Sequence, residues 1–198
     1  MSAARWRAAS LRSVEAGTFA ALRSSRALAI GTSVRIVACP FILGLLLNHD
    51  WTAAAVLFLA VAATDFIDGR LARRWQVTTK LGSFLDTTAD KLLVSTTLIG
   101  LVAVDRCSAW VAFVIIAREF TILGLRAAVA AGGSNLETSM FGKWKASLQF
   151  AGIAVAILRP DVIIAGAYLD QWLMVIVAAI TAWSGIEYLR AYAGALKS

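Results

Sequence analysis

Long apolar stretches alternate with short polar connections along the chain. A helix that crosses a lipid bilayer needs about 20 mostly apolar residues. Six stretches approach or exceed that length, at roughly 27–47, 52–72, 83–104, 109–131, 143–158 and 171–190. The pattern therefore predicts an all-α integral membrane domain with six transmembrane helices over residues 27–192. A further apolar segment, 161–169, either extends the fifth helix or lies in the outer membrane interface.

Residues 1–26 precede the first helix and are basic. They carry Arg5, Arg7, Arg12, Arg23 and Arg26. The segment lacks the long apolar core and the small-residue cleavage site of a signal peptide. We expect an amphipathic interfacial helix on an anionic leaflet, with a disordered basic tail as the alternative. Residues 193–198 are predicted to form a C-terminal tail.

The composition excludes several classes of protein. The chain of 198 residues is 60% hydrophobic and 16% charged, whereas soluble domains are roughly 45–50% apolar and about 25% charged. It has two cysteines without a CxxC motif and one histidine, so thiol-ligated metal and Ser–His chemistry are not expected. In so apolar a chain, the net charge of +7 indicates loop topology and contact with anionic lipid, with no nucleic-acid partner.

The basic residues also predict an orientation. One set of connections holds only Arg106 and Arg159. The opposite side collects the N-terminal arginines together with Arg70, Arg73, Arg74, Lys80, Lys143, Lys145 and Lys197. Because cytoplasmic loops are enriched in Lys and Arg, both termini are predicted to be cytoplasmic in an inner, or cytoplasmic, membrane.

Four aspartates interrupt the second and third apolar stretches near that cytoplasmic side. Asp65 and Asp68 are three residues apart, and Asp86 and Asp90 are four apart, so each pair shares one helix face. Salt bridges to Arg70, Arg74 or Lys91 would explain a single pair. Four converging carboxylates must either take up protons or share divalent metal, and oxygen ligands favour Mg²⁺ or Mn²⁺ over zinc. Such an ion suggests a ligand that carries phosphate, for which Arg73 supplies a nearby cation.

The residues around these aspartates resemble a known family signature. The segments DFIDGRLAR and GSFLDTTAD agree with D-x2-D-G-x2-A-R-x8-G-x3-D-x3-D of the CDP-alcohol phosphotransferase family at all eight fixed positions and in every spacing. Members are six-helix membrane enzymes, usually homodimers, that transfer a phosphoalcohol from a CDP-linked donor to a hydroxyl and release CMP. The resemblance therefore implies a transferase acting on CDP-diacylglycerol in the membrane.

The resemblance also implies roles for individual residues. Asp65, Asp68 and Asp86 would bind metal, with two divalent ions expected. Asp90 would be the general base and a ligand of the second ion. The CDP-binding positions would be Asp65, Gly69, Ala72, Arg73 and Gly82.

Basic residues deep in the apolar stretches are candidates for binding an anionic acceptor such as a phosphate. They are Arg35, Arg118, Arg126, Lys143 and Lys145. A structural ion pair between helices would also explain Arg118, and Arg126 and Lys145 could extend to the headgroups. Glu119 is adjacent to Arg118, and because neighbouring helical residues diverge we expect no pairing between these two. Lys91 could offset the charge of the metal site.

The segments AREFTILGLR at 117–126 and GKWKASLQ at 142–149 resemble family members that use sn-glycerol 3-phosphate and make phosphatidylglycerophosphate. We therefore predict that reaction, catalysed at the cytoplasmic face by a homodimer. The alternatives within the family use phosphatidylglycerol, giving cardiolipin, or inositol phosphate. A metal-dependent membrane prenyltransferase or an ion-coupled transporter is a more distant alternative, and neither explains the pattern of Gly69, Ala72, Arg73 and Gly82.

Overall fold

The structure, a computed structural model, describes residues 31–75, 80–131 and 140–195, and within them the side chains of 31–64, 84–129, 147–190 and 192. The predicted segment 1–26 lies outside this part of the chain, as do residues 196–198 of the predicted tail 193–198, whose first three residues belong to the last helix. The described helices are α1 Gly31–Leu47, α2 Trp51–Trp75, α3 Lys80–Ala103, α4 Ala109–Ala131, α5 Met140–Leu158 and α6 Leu169–Ala195. The two strands are β1 Ile163–Ile164 and β2 Ala167–Tyr168.

The helical architecture confirms the all-α prediction. Six helices occupy the six apolar stretches, and α5 and α6 begin slightly earlier than expected. Among the described residues, the segment Leu169–Arg190 alone combines the length and the hydropathy of a membrane span. Shorter apolar runs occupy Gly31–Leu47, Trp51–Thr64 and Ser147–Leu158. Charged residues interrupt α3 and α4, so the number of spans stays a prediction.

The segment 161–169 is neither an extension of α5 nor a helix of its own. Helix α5 ends at Leu158, where Arg159 adopts a positive φ of 44° and Pro160 follows. A proline disfavours helical backbone in the residue before it and cannot donate a backbone hydrogen bond. The chain then forms an antiparallel hairpin whose turn, Ala165 and Gly166, has φ values of 51° and 83°. Positive φ at both turn positions is typical of a tight two-residue hairpin.

The helices pack around one apolar core. Contacts between α4 and α6, α5 and α6, α3 and α4, and α2 and α5 connect most of the bundle. Its completely buried side chains include Ile42, Leu46, Phe58, Leu98, Leu101, Ile115, Ile153 and Ile157. Large apolar side chains also point outward, among them Val37, Phe41, Ile99, Trp110, Phe113 and Trp183. An outer surface this apolar fits contact with lipid better than contact with water.

A polar cluster ties together the three connections at one end of the bundle. Arg159 Nε lies 3.1 Å from Asp170 Oδ2, and its NH2 donates to the carbonyl of Asp105 at 3.1 Å. Arg106 donates to the carbonyl of Ile157 at 2.6 Å. Its guanidinium also stacks 3.5 Å from the ring centroid of Trp51. Arg106 and Arg159, the two basic residues of the predicted outer connections, therefore hold the three connections together. We call these contacts the end clasp.

Cys107 lies within the connection that carries the clasp. Both cysteines are free and buried. Burial raises the pKa of the Cys107 thiol to about 11. The thiol is protonated at neutral pH, so it has the character of a packing residue and not of a nucleophile.

Close contact between α1 and α3 depends on Gly100. A Cβ at this position would lie 2.6 Å from Leu46 Cδ1 and 3.2 Å from Leu43 Cδ1. Leu46 is completely buried and has little room to move away. A side chain at position 100 therefore requires either that the Leu46 side chain moves or that α1 and α3 separate.

We expect Gly100→Ala to lower the free energy of unfolding by about 1 kcal/mol, because overpacking outweighs the better helix propensity of alanine. Titration with SDS in mixed micelles measures the change. Gly44→Ala is the matched control, since nothing lies within 4 Å of the Cβ that it adds. Equal stability of the two variants would contradict the close packing of α1 on α3.

Candidate active site

Two carboxylates of α3 meet one arginine of α1. Asp86 and Asp90 are one helical turn apart, so they project from the same face of α3. Arg35 NH1 lies 2.5 Å from Asp86 Oδ1, and Arg35 Nε lies 3.3 Å from Asp90 Oδ1. Thr32, one turn before Arg35, donates to Asp86 Oδ1 at 3.4 Å. Asp86 and Asp90 therefore share one face of α3, as their spacing predicts, and the convergence of all four aspartates stays a prediction.

Burial differs sharply within this cluster. The Arg35 side chain is 1% exposed, whereas Asp86 and Asp90 are 23% and 25% exposed. The cation is thus fixed in the interior and the carboxylates line a more open surface. Arg35 balances one of the two negative charges, so the three side chains keep a net charge of −1. A site of this kind attracts a cation from outside.

The second aspartate pair belongs to α2. Positions 65 and 68 lie inside Trp51–Trp75, so their predicted helical spacing is present in the backbone. The side chains of Asp65 and Asp68 lie outside the described residues. The same holds for the CDP-binding positions Gly69, Ala72, Arg73 and Gly82. Their contribution to the site stays a prediction.

Asp86 and Asp90 suit a divalent metal ion by the chemistry of their donor atoms. Carboxylate oxygens are hard ligands that Mg²⁺ and Mn²⁺ prefer. Among the side chains that the structure describes, no group of three or more His, Cys, Asp or Glu is close enough to hold an ion. The predicted ligand set includes Asp65 and Asp68, which are not among those side chains. The described pair therefore fits one half of the predicted metal centre.

Arg35 contacts the aspartates, a partnership that sequence reasoning missed. We predicted acceptor binding for it because it lies deep in an apolar helix. Its contacts in the described residues are with the predicted metal-binding carboxylates, and acceptor binding stays a prediction. The signal was the cost of a buried guanidinium, which demands carboxylates nearby. Among the described residues, the salt-bridge partner of Asp86 and Asp90 is Arg35, whereas Lys91 contacts Glu119.

A second ionic cluster joins α3, α4 and α6. Glu119 of α4 is 3% exposed and contacts both Lys91 Nζ of α3 and Arg118 NH1, the latter at 2.7 Å. Arg118 NH2 donates to Ser184 Oγ of α6 at 3.2 Å. A Cβ at Gly185 would lie 3.0 Å from Arg118 Cγ, so a glycine there lets α6 approach. We call these residues the Glu119 network.

The pairing of Arg118 with Glu119 shows that our expectation of no contact between these neighbours was wrong. Their Cβ atoms do leave the helix in different directions. The long arginine side chain nevertheless reaches back to the adjacent carboxylate, because both groups lie in an interior that offers few other partners. The ion pair with another helix that we expected as an alternative for Arg118 is not found among the described residues, and its contact with α6 is the hydrogen bond to Ser184.

The other predicted acceptor residues lie near the same end of the bundle. Arg126 is eight residues after Arg118 on α4 and is half-buried. Lys143 falls in the first turn of α5, which begins at Met140. The side chains of Lys143 and Lys145 are outside the described residues, so their assignment stays a prediction.

Comparison with known proteins identifies the class of enzyme that this geometry serves. The family model for CDP-alcohol phosphatidyltransferase matches residues 29–183, and the chain belongs to this family of transferases. Enzymes of the family use divalent metal ions. Family membership and the apolar outer surface together indicate a membrane protein.

Several curated relatives cover most of the chain. All three described here are named CDP-diacylglycerol--glycerol-3-phosphate 3-phosphatidyltransferase. The relative from Bacillus subtilis (strain 168) is 37% identical over 150 residues, 74% of this chain and 76% of its own length. Those from Sodalis glossinidius (strain morsitans) and Escherichia coli (strain K12) are each 38% identical over 168 residues, 81% of this chain and 91% of their own.

We expect Arg35→Gln to lower the free energy of unfolding by about 3 kcal/mol, because it leaves two neighbouring carboxylates without their buried cation. The midpoint of thermal unfolding in detergent micelles reports the loss. Arg190→Gln, at an exposed position of α6, is the matched control and changes stability by about 0.5 kcal/mol or less. A loss no larger than that of the control would show that the Arg35 contacts contribute little.

Proposed function

We propose that the chain transfers the phosphatidyl group of CDP-diacylglycerol to sn-glycerol 3-phosphate, giving phosphatidylglycerophosphate and CMP. The observation that carries the proposal is the meeting of Asp86 and Asp90 at Arg35 in a chain of this family. The names of the relatives supply the acceptor. The deep cations Arg118 and Arg126 support an acceptor that carries a phosphate.

The chemistry requires little more than positioning and charge. The acceptor hydroxyl oxygen forms a bond to the phosphorus that bears the diacylglycerol, and the bond from that phosphorus to the CMP oxygen breaks. Asp90 accepts the proton of the attacking hydroxyl on a carboxylate oxygen. Divalent ions held by Asp65, Asp68, Asp86 and Asp90 would neutralise the pyrophosphate and the leaving CMP.

Other side chains orient the groups that react. Arg35 and Thr32 hold the carboxylate of Asp86 in place, and Arg35 also fixes Asp90. Gly69, Ala72, Arg73 and Gly82 line the CDP side. The cations Arg118, Arg126, Lys143 and Lys145 hold the acceptor's phosphate. Phosphoryl transfer of this type needs no nucleophilic side chain.

The setting that we propose is the inner membrane, with six spans over residues 27–192 and both termini in the cytoplasm. The biased distribution of Lys and Arg supports this orientation. The active site then faces the cytoplasm, where the water-soluble acceptor and CMP exchange while the lipid tails stay in the bilayer. We further propose a homodimer, as the family resemblance implies.

Purified protein in detergent, supplied with CDP-diacylglycerol, will release CMP when sn-glycerol 3-phosphate and Mg²⁺ or Mn²⁺ are present. Chelation with EDTA will abolish release, since metal ions stabilise the leaving group. Labelled CMP and thin-layer analysis of the lipid product measure turnover. Phosphatidylglycerol and inositol phosphate, offered in parallel, will give less than about one hundredth of that rate. A preference for either, or turnover that survives EDTA, would overturn the proposal.

Arg118→Ala and Lys143→Ala will each raise the KM for sn-glycerol 3-phosphate by tenfold or more, about 1.4 kcal/mol of binding. The KM for CDP-diacylglycerol will stay within about twofold, because both residues serve the acceptor. Arg190→Ala controls for loss of a surface cation. Equal rises in the KM for both substrates would instead show that these cations stabilise the active site as a whole and do not bind the acceptor specifically.

A further inference from the structure

The Glu119 network holds more positive charge than a structural contact needs. One buried carboxylate, Glu119, contacts two cations, Lys91 and Arg118. In the end clasp, by comparison, Asp170 pairs with Arg159, and the second cation, Arg106, binds the carbonyl of Ile157 and the ring of Trp51. Burying an unbalanced cation is costly, and charges deep in a membrane protein usually serve a ligand or a pathway. Among the described residues, the network therefore has one more cation than carboxylates, and a bound anion would balance it.

Arg118 also retains donors that no described residue satisfies. Its NH1 is directed to Glu119 and its NH2 to Ser184. The Nε–H of Arg118 is buried and has no hydrogen-bond partner among the described residues. Guanidinium groups bind phosphate through several N–H donors at once. Arg118 is thus anchored through its two terminal nitrogens and keeps one N–H donor without a partner among the described residues.

Lys91 connects this network to the reacting atoms. It directly follows Asp90 in α3, with Cα atoms about 3.8 Å apart. Asp90 turns toward Arg35 of α1, whereas Lys91 turns toward Glu119 of α4. The network therefore begins one residue away from the proposed general base.

We propose that Glu119 is the positioning residue of the acceptor subsite and that Lys91 is a further residue that binds the acceptor's phosphate. Glu119 sets Lys91 and Arg118 at a fixed separation, and Ser184 holds the far side of the guanidinium. This inference rests on the proposed function, because it assigns these roles in binding sn-glycerol 3-phosphate. It adds a carboxylate and a lysine to an acceptor subsite that otherwise consists of Arg35, Arg118, Arg126, Lys143 and Lys145.

Two substitutions of Glu119 distinguish the effect of where its carboxylate lies from the effect of its charge. Glu119→Asp keeps the charge and withdraws it by one methylene, whereas Glu119→Gln keeps the length and removes the charge. Both will raise the KM for sn-glycerol 3-phosphate about tenfold, the change expected when one charge-assisted hydrogen bond loses its alignment. The kcat will stay within about threefold and the KM for CDP-diacylglycerol within about twofold.

Asp170→Asn is the matched control, because Asp170 is also a buried carboxylate paired with an arginine, at the end clasp. It will lower the thermal midpoint without moving the KM for sn-glycerol 3-phosphate. If Glu119→Gln and Glu119→Asp behave in the same way, the network is structural and the inference is overturned. A fall in the acceptor's KM in Glu119→Gln also overturns it, since Glu119 would then only oppose the cations.

Lys91→Gln and Ser184→Ala keep the inference testable if the variants at position 119 do not fold. Lys91→Gln will raise the acceptor's KM about tenfold, and Ser184→Ala about threefold. An unchanged acceptor KM in Lys91→Gln overturns the role of Lys91. Wild-type protein that does not use sn-glycerol 3-phosphate overturns the proposed function itself. Normal wild-type turnover with unaffected variants overturns only the present inference.

Discussion

The contact of Arg35 with Asp86 and Asp90 is the interaction on which the site depends. Neither carboxylates nor a guanidinium are stable alone in an apolar bundle, because transferring an ion out of water costs several kcal/mol. The burial of either charge is therefore energetically tolerated only when the opposite charge is in contact with it. The contact also joins α1 to α3, so the same three side chains that lower the cost of burial fix the position of one helix against the other.

The same logic explains why the ionic groups occur in clusters. Asp86 and Asp90 share Arg35, Lys91 and Arg118 share Glu119, and Arg159 pairs with Asp170. Between these clusters the helices meet through Leu, Ile, Ala and Gly. Among the described residues, the first cluster holds an excess of negative charge and the second an excess of positive charge, in line with the metal and phosphate subsites that we propose. In the third, Asp170 pairs with Arg159 while Arg106 binds a backbone carbonyl, and these contacts hold the connections together.

Much of this architecture could be predicted from the apolar pattern, because helix length and hydropathy are local properties. The C-terminal end of α5 and the hairpin were harder to predict from the sequence. They depend on the backbone conformations of Arg159, Pro160, Ala165 and Gly166, which hydropathy does not describe. The aspartates of α3 could be predicted from their spacing. Their partner Arg35 could not, because the contact spans 51 residues of sequence and depends on how α1 packs. The pairing of Glu119 with Arg118 was not predicted, because helix geometry gives the direction in which each Cβ leaves the helix. It does not give the position that the end of a long arginine side chain reaches.

The end clasp has a consequence for how substrates reach the site. It joins the α1–α2, α3–α4 and α5–α6 connections through Trp51, Arg106 and Arg159. Because the helices are joined at one end, a small rotation of a helix about that end displaces its opposite end the most. Asp86 and Asp90 lie on α3 away from the end clasp, and the Glu119 network lies near the middle of α3 and α4. A rotation of this kind therefore separates the helices more at these aspartates than at the clasp, which stays closed.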